Sequence, residues 1–298
     1  QGRSDMAPMA AAVSALRARD PVAPICVVHT DLPGNDWGSL FARVQDAPDS
    51  YLRAAAGVFP FAAGRSFFGR LFPDGTLTLG WSSIAVHWLS RVPADLPGWV
   101  YSAFAQGDVA AAFRAQSAAD WAAFVDDRAA ELVPGGEVVV VGGSADPDGT
   151  SGAEPLMGAL SAAARDMAGA GRLRARELDR MTVPTWNRTP AEFLAPLTGP
   201  GAPLEVVEQA VHVLPDVFLE RLAADGDRDR LAADVAGFAR AFTEPSLFAV
   251  LDPDRGEAER ARLAGELYDR LGEAARRDPE SVRADWRVMA LRLRRPPA

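Results

Sequence analysis

The sequence predicts an α/β fold with a mainly helical insertion, and three observations carry that expectation. Short apolar runs rich in β-branched residues, at 22–28 and 137–141, alternate with helical stretches and are bounded by turn signals. The amphipathic stretch 117–132 is broken by Pro134-Gly135-Gly136 and followed at once by the run 137–141, as a face helix feeds a buried strand. Residues 144–150 turn to Gly, Asp, Ser and Pro, and the chain beyond them is mostly helical until a closing strand at 285–293. The expected organisation is an α/β core made of 1–148 and 246–298, with 149–245 as a helical cap.

The elements follow in order. Met6, Met9, Val13 and Leu16 recur at helical spacing within 5–19. The strand 22–28 leads into the turn-rich Asp31-Leu32-Pro33-Gly34-Asn35-Asp36, and a helix over 37–44 is capped by Asn35 or Asp36. A second apolar run covers 57–61, and a strand over 76–81 starts after Pro73-Asp74-Gly75. Helices are expected at 155–170, 190–198, 215–224, 227–242 and 256–277, with 206–213 as a candidate strand inside the helical block.

Composition excludes several classes of function. With 298 residues, 48% of them hydrophobic, the chain buries a sizeable core. A net charge of −9 argues against a general nucleic-acid binder and against a polybasic membrane-surface protein. No apolar run approaches the roughly 20 residues of a spanning helix. The single cysteine, Cys26, excludes an internal disulfide and a Cys-cluster metal site, and within Ile25-Cys26-Val27-Val28 it reads as a buried thiol. All 31 basic residues are Arg, which excludes a lysine Schiff base or lysine general base. His29, His87 and His212 are dispersed without clustered carboxylates, which gives no zinc pattern. No Gly-x-Ser-x-Gly elbow is present.

Three segments carry a resemblance. They are Thr30-Asp31-Leu32-Pro33-Gly34-Asn35-Asp36, then Gly64-Arg65-Ser66-Phe67-Phe68-Gly69-Arg70-Leu71-Phe72-Pro73, then Ser82-Ser83-Ile84-Ala85-Val86-His87-Trp88-Leu89-Ser90-Arg91-Val92-Pro93. In content, order and separation they resemble the SABATH group of S-adenosylmethionine-dependent carboxyl methyltransferases, and weaker similarity runs from Glu131 to the last strand. The resemblance implies a Rossmann-like class I methyltransferase sheet, S-adenosyl-L-methionine as the methyl donor, a small carboxylic acid as substrate and a cytoplasmic homodimer. Family members open with a strand and an Asp-x-Gly-x-x-x-Gly loop. The chain is thereby expected to begin inside that loop, with Gly2 at the cofactor.

The resemblance also assigns roles. By position alone Asp31 is a helix cap or a polar turn residue. The match implies instead that its carboxylate accepts from ribose hydroxyls while Leu32 packs on adenine, as expected beyond the carboxyl end of a strand. Ser66 and Phe67 would serve the adenine end, although a core role is the commoner use of Phe. Trp88 would donate its indole N–H to the substrate carboxylate without taking its proton. His87 is a second catalytic-site candidate, and by itself it reads equally as a structural histidine. Ile84 stands where the family commonly has Tyr, Met157 where a salicylate-type enzyme has a pocket Trp, and Trp186 where the family often has Tyr. With Trp88 these would line the substrate pocket, and the changed walls put salicylate itself in doubt.

A carboxylic acid with a pKa of about 4 is already ionised at neutral pH, so methyl transfer to it needs no general base. Two other readings remain open at this stage: N-methylation of a heterocycle, which a branch of the family performs, and a non-catalytic protein that kept the fold.

Overall fold

The computed structural model describes residues 6–297. The chain divides into two compact units, Gln1–Pro73 and Asp74–Ala298. In the first unit, α1 (Met6–Arg19), β1 (Ile25–Asp31), α2 (Trp37–Asp46) and β2 (Val58–Gly64) follow one another. β1 and β2 pair in parallel, from Ile25 opposite Val58 to Asp31 opposite Gly64. Asp36 starts α2, its carboxylate accepting from Ser39 N–H at 3.0 Å. Val27 packs into a cluster with Met6, Val13, Leu40, Val44 and Tyr51.

Cys26 is exposed, contrary to its expected burial. β1 covers only one face, and the residues on either side of Val27 point away from the cluster. An unbroken apolar run therefore reads as buried on both faces when only one is.

The second unit contains β3 (Leu77–Ser83), α3 (Gly107–Glu131), β4 (Leu132–Gly143), α4 (Glu154–Gly169), α5 (Ala175–Arg180), α6 (Pro190–Leu194), β5 (Glu205–Leu214), α7 (Val217–Asp225), α8 (Arg228–Ala249), α9 (Glu257–Arg277) and β6 (Trp286–Arg294). Its sheet runs β3-β4-β6-β5, with β3 and β4 parallel and β6 antiparallel to both neighbours. β3–α3–β4 is thus a parallel crossover unit. The main core lies among α4, α8 and α9, built from Leu156, Leu160, Met167, Leu231, Val235, Leu263, Leu267 and Leu271.

Several element boundaries differ from the sequence expectation. α3 begins at Gly107, well before 117, because Phe113 is buried and anchors the extra turns. Pro134-Gly135-Gly136 does not separate helix from strand. β4 starts at Leu132, directly after α3, and the register against β3 jumps from Leu132 to Glu137, so the three residues form an irregularity with Gly135 at φ +75. α8 runs through Pro245 rather than ending near 242. Proline removes one helix hydrogen bond, and burial of Leu247 and Phe248 beyond it offsets that loss. Segment 149–245 holds α4 to α7 and most of α8, including α5, which the sequence did not suggest, and its candidate strand at 206–213 is β5, bonded along its length to β6 in the sheet. Among the described residues no helix is long and apolar enough to cross a membrane.

One buried ion pair locks α5 to the chain ahead of α9. Glu177 has no exposed surface and accepts from Arg255 Nε and Nη2, both at 2.6 Å, and from the N–H groups of Arg174 and Asp252 at 2.9 and 3.1 Å. Burial opposes ionisation of Glu177, but these donors outweigh it and hold the carboxyl below its ordinary pKa. Glu177→Ala leaves buried Arg255 Nε without its acceptor, with only Nη1 still paired to a carboxylate, that of Glu259. Chemical denaturation is expected to read a loss of about 3 kcal/mol.

Candidate active site

The chain leaves β3 through a strained residue. Ile84 has φ +53 and is the one non-glycine residue with positive φ among those described. The left-handed region costs a β-branched residue roughly 1–2 kcal/mol. The Ile84 N–H donates to Val141 O at 2.7 Å, which ties the turn to the end of β4. The turn leaves the Ile84 side chain 49% exposed and starts the segment that carries His87 and Trp88.

A second segment, 183–188, threads across this one. Trp88 and Thr185 form an antiparallel bridge, Tyr101 and Val183 a parallel one, and Ser144 and Arg188 another. Leu89 N–H donates to Pro184 O at 2.7 Å, and Trp186 N–H donates to His87 O at 2.8 Å. At the far end Ala145 N–H and Ser144 Oγ donate to Arg188 O at 3.0 and 2.9 Å. Predicted site residues 99 positions apart in sequence are therefore fixed to one another by the main-chain bond between His87 and Trp186.

Gly142 and Gly143 make room for this crossing. A Cβ on Gly142 would meet Val86 Cγ2 at 2.8 Å and the Phe193 ring at 3.0 Å. A Cβ on Gly143 would collide with Asn187 Oδ1 and stand 3.1 Å from the His87 ring. These glycines carry the close approach rather than a turn.

The surroundings of His87 settle its protonation. Gly143 N–H donates to Nδ1 at 3.2 Å, so the neutral ring carries its proton on Nε2. Burial, then the nearby Arg188 charge, push the imidazole down to about 4. His87 is thus a neutral hydrogen-bond donor at physiological pH and is not arranged as a base. Its ring centre lies 6.3 Å from that of Trp88. The Trp88 indole N–H makes no hydrogen bond among the described residues. Two ring N–H donors, neither able to take a proton from an acid, therefore stand side by side.

The remaining predicted pocket residues divide. Trp186 is partly buried, its indole N–H donating to Glu192 Oε2 at 3.4 Å under the Arg114 guanidinium, 5.5 Å from its ring. Met157, expected to face substrate, has no exposed surface; it lies in the core cluster against which Trp88 packs, because α4 turns it inward. Behind the crossing runs a polar chain absent from the sequence reading. Asn187 Nδ2 donates to the Tyr101 hydroxyl, which pairs with Ser151 Oγ at 3.0 Å, and Ser151 Oγ donates to Glu154 at 2.8 Å. Burial raises the Tyr101 phenol pKa, so it stays protonated.

The first unit gathers the predicted cofactor residues at one end of its parallel pair. Asp31 closes β1, and Ser66 and Phe67 follow β2 by two and three residues. Asp31 is exposed with Oδ1 accepting from Leu32 N–H at 2.7 Å, and the Leu32 side chain is exposed beside it. Ser66 Oγ accepts from Phe68 N–H at 3.3 Å, and the Phe67 and Phe68 rings lie 4.4 Å apart. An open carboxylate, an exposed apolar side chain and an aromatic pair beyond the carboxyl ends of parallel strands suit a ribose and a purine. Gly2 lies outside the described residues.

The model for the family described as SAM dependent carboxyl methyltransferase matches residues 9–252. The chain belongs to this family. Among curated relatives, a salicylate carboxymethyltransferase of Clarkia breweri is 29% identical over 229 residues, covering 73% of this chain and 61% of that protein. An indole-3-acetate O-methyltransferase of Oryza sativa subsp. japonica is 31% identical over 203 residues, covering 59% of this chain and 50% of that protein. The chain thus spans roughly half to three fifths of the length of these relatives. A loganic acid methyltransferase solved with SAH superposes at a TM-score of 0.73 over 95% of this chain and 77% of that one, at 19% identity. That likeness establishes the class I methyltransferase fold for this member of the carboxyl methyltransferase family.

Asn187, Arg188, Tyr101 and the Gly142-Gly143 pair were missed in the sequence. Their roles come from contacts between segments far apart in the chain, and one Arg among 31 basic residues carries no signal of its own. Ile84→Gly relieves the left-handed strain and is expected to raise the unfolding free energy by about 1 kcal/mol. The same change is expected to weaken binding of an aromatic acid several-fold through loss of the exposed apolar side chain. Denaturant unfolding and KM, measured together, check both directions.

Proposed function

We propose that this protein methylates the carboxylate of a small aromatic or apolar acid to give its methyl ester, with S-adenosyl-L-methionine as donor. One observation carries the reading. His87 and Trp88 offer adjacent ring N–H donors, His87 is held neutral, and no base accompanies them among the described residues. That chemistry suits an acceptor that arrives already ionised and must be held rather than deprotonated. The family and the salicylate and indole-3-acetate relatives support the same substrate class.

When bound, the donor supplies a sulfonium methyl group. On this chain Asp31 would accept from the ribose hydroxyls, Leu32 and Phe67 would pack on the purine, and Ser66 would make a polar contact at its edge. Trp88 and His87 would each donate to a carboxylate oxygen and so fix the attacking atom. Such positioning can supply on the order of 7–11 kcal/mol of a barrier. Ile84 and Trp186 would form apolar walls, with Met157 in the core behind Trp88. The helical parts of segment 149–245 would cover the pocket and exclude water, which strengthens the hydrogen bonds to the carboxylate. As finer expectations, the protein is a cytoplasmic homodimer with no nucleic-acid or membrane partner, and light scattering in solution reads the dimer.

A relative named as a probable 7-methylxanthine methyltransferase of Theobroma cacao is 29% identical over 256 residues, so the substrate panel should pair acids with xanthines. Turnover of xanthines and not of acids would overturn the proposal. Trp88→Ala is expected to lower kcat/KM for the acid by about 10–100-fold with little change in cofactor affinity. Asp31→Ala is expected to weaken S-adenosylhomocysteine binding by about ten-fold in calorimetry, with the melting temperature retained.

A further inference from the structure

Arg188 is the unexplained group of this site. It is 1% exposed, and among the described residues it forms no ion pair. Nη1 donates to Val86 O at 2.6 Å and Nη2 to Ser117 O at 2.7 Å, while buried Nε has no partner. The guanidinium lies 5.6 Å from both the Trp121 and the Phe193 rings. Burying a cation against neutral carbonyls is costly, and a neutral side chain of similar volume would avoid that cost.

Val86 immediately precedes His87 and Trp88, and Arg188 lies two residues after Trp186, whose N–H holds the His87 carbonyl. At the other end of the same segment, Asp120 on α3 accepts from Ser90 N–H at 2.8 Å and Ser90 Oγ at 2.7 Å. The His87-Trp88 pair is therefore held on both sides, by Arg188 before it and by Asp120 after it.

We propose that Arg188 is a positioning residue: its guanidinium fixes the Val86 carbonyl, and with it the His87-Trp88 pair, and it sets a buried positive charge behind the donors that makes the site prefer a carboxylate to a neutral acceptor. This rests on the carboxylate reading above and deepens it. The charged groups that act on Arg188 are Asp120 of α3 and Glu192 of α6. Asp120 is engaged with Ser90 and Gln116, and Glu192 with Arg114, Thr189 and Trp186, so neither neutralises the guanidinium by direct contact. Burial lowers Arg188 only to about 10, and it remains charged at neutral pH. Its field is also part of what keeps His87 neutral.

The test uses the full chain with Arg188→Met, which removes the charge, and Arg188→Lys, which keeps it but cannot fork to both carbonyls. The first readout is the His87 imidazole followed by NMR with pH, assigned through His87→Asn. The native ring is expected to titrate near 4, the Met variant higher, and the Lys variant close to native. The second readout is calorimetry with benzoate and benzamide in the presence of S-adenosylhomocysteine. The preference for benzoate is expected to fall on the order of ten-fold in the Met variant and to persist in the Lys variant. A folded Met variant with an unchanged His87 midpoint and an unchanged preference would overturn the proposal. If the Met variant does not fold, the Lys variant decides: a His87 midpoint at the ordinary imidazole value despite the retained charge also overturns it. Native protein that binds neither probe would count against the carboxylate reading itself, while the NMR titration still reports what Arg188 does to His87.

Discussion

The site depends on the main-chain crossing of the segment after β3 by segment 183–188. The Trp186 N–H bond to the His87 carbonyl and the Leu89 N–H bond to Pro184 O hold two irregular stretches against each other as firmly as strands. Irregular backbone away from water must satisfy every polar group, and here each segment supplies the other's partners. The bare Cα positions of Gly142 and Gly143 let the crossing press against the end of β4. The sheet then serves as the rigid base from which His87 and Trp88 project.

Strain and burial are concentrated at the same place. Ile84 is held in a left-handed conformation by its bond to Val141 O, and Arg188 is held as a buried cation by two carbonyls. Each is locally unfavourable and each persists because the surrounding contacts over-determine it. Their joint effect is a rigid pair of N–H donors whose protonation does not change near neutrality. For an anionic acceptor that supplies its own lone pair, a preset hydrogen-bonding site is more useful than a titrating one.

The net charge of −9 gives no long-range attraction for an acid. On the proposed reading an acid would be selected at short range, where Arg188 bonds the backbone just before the donors and α3 contributes Asp120 to the frame. Screening by salt affects such an enclosed charge far less than a surface one.

Much of this was legible without coordinates. The Asp31–Asp36, Ser66–Phe67 and His87-Trp88 motifs identified the family, and turn signals with apolar periodicity located most helices and strands. Those features are local: a few neighbouring residues determine a cap, a turn or a helix face, and a motif keeps its spelling because its chemistry is performed by adjacent side chains. What only the tertiary structure decided are pairings of distant segments. The exposure of Cys26 follows from β1 covering one face, the interior place of Met157 from the packing of α4, and the continuation of α8 past Pro245 from the core beyond it. The neutrality of His87 and the role proposed for Arg188 arise because bonds between segments 56 and 102 residues apart bring a backbone N–H and a buried cation beside one ring. Burial and electric field are properties of such an arrangement, and no residue carries them in its own type or in its neighbours along the chain.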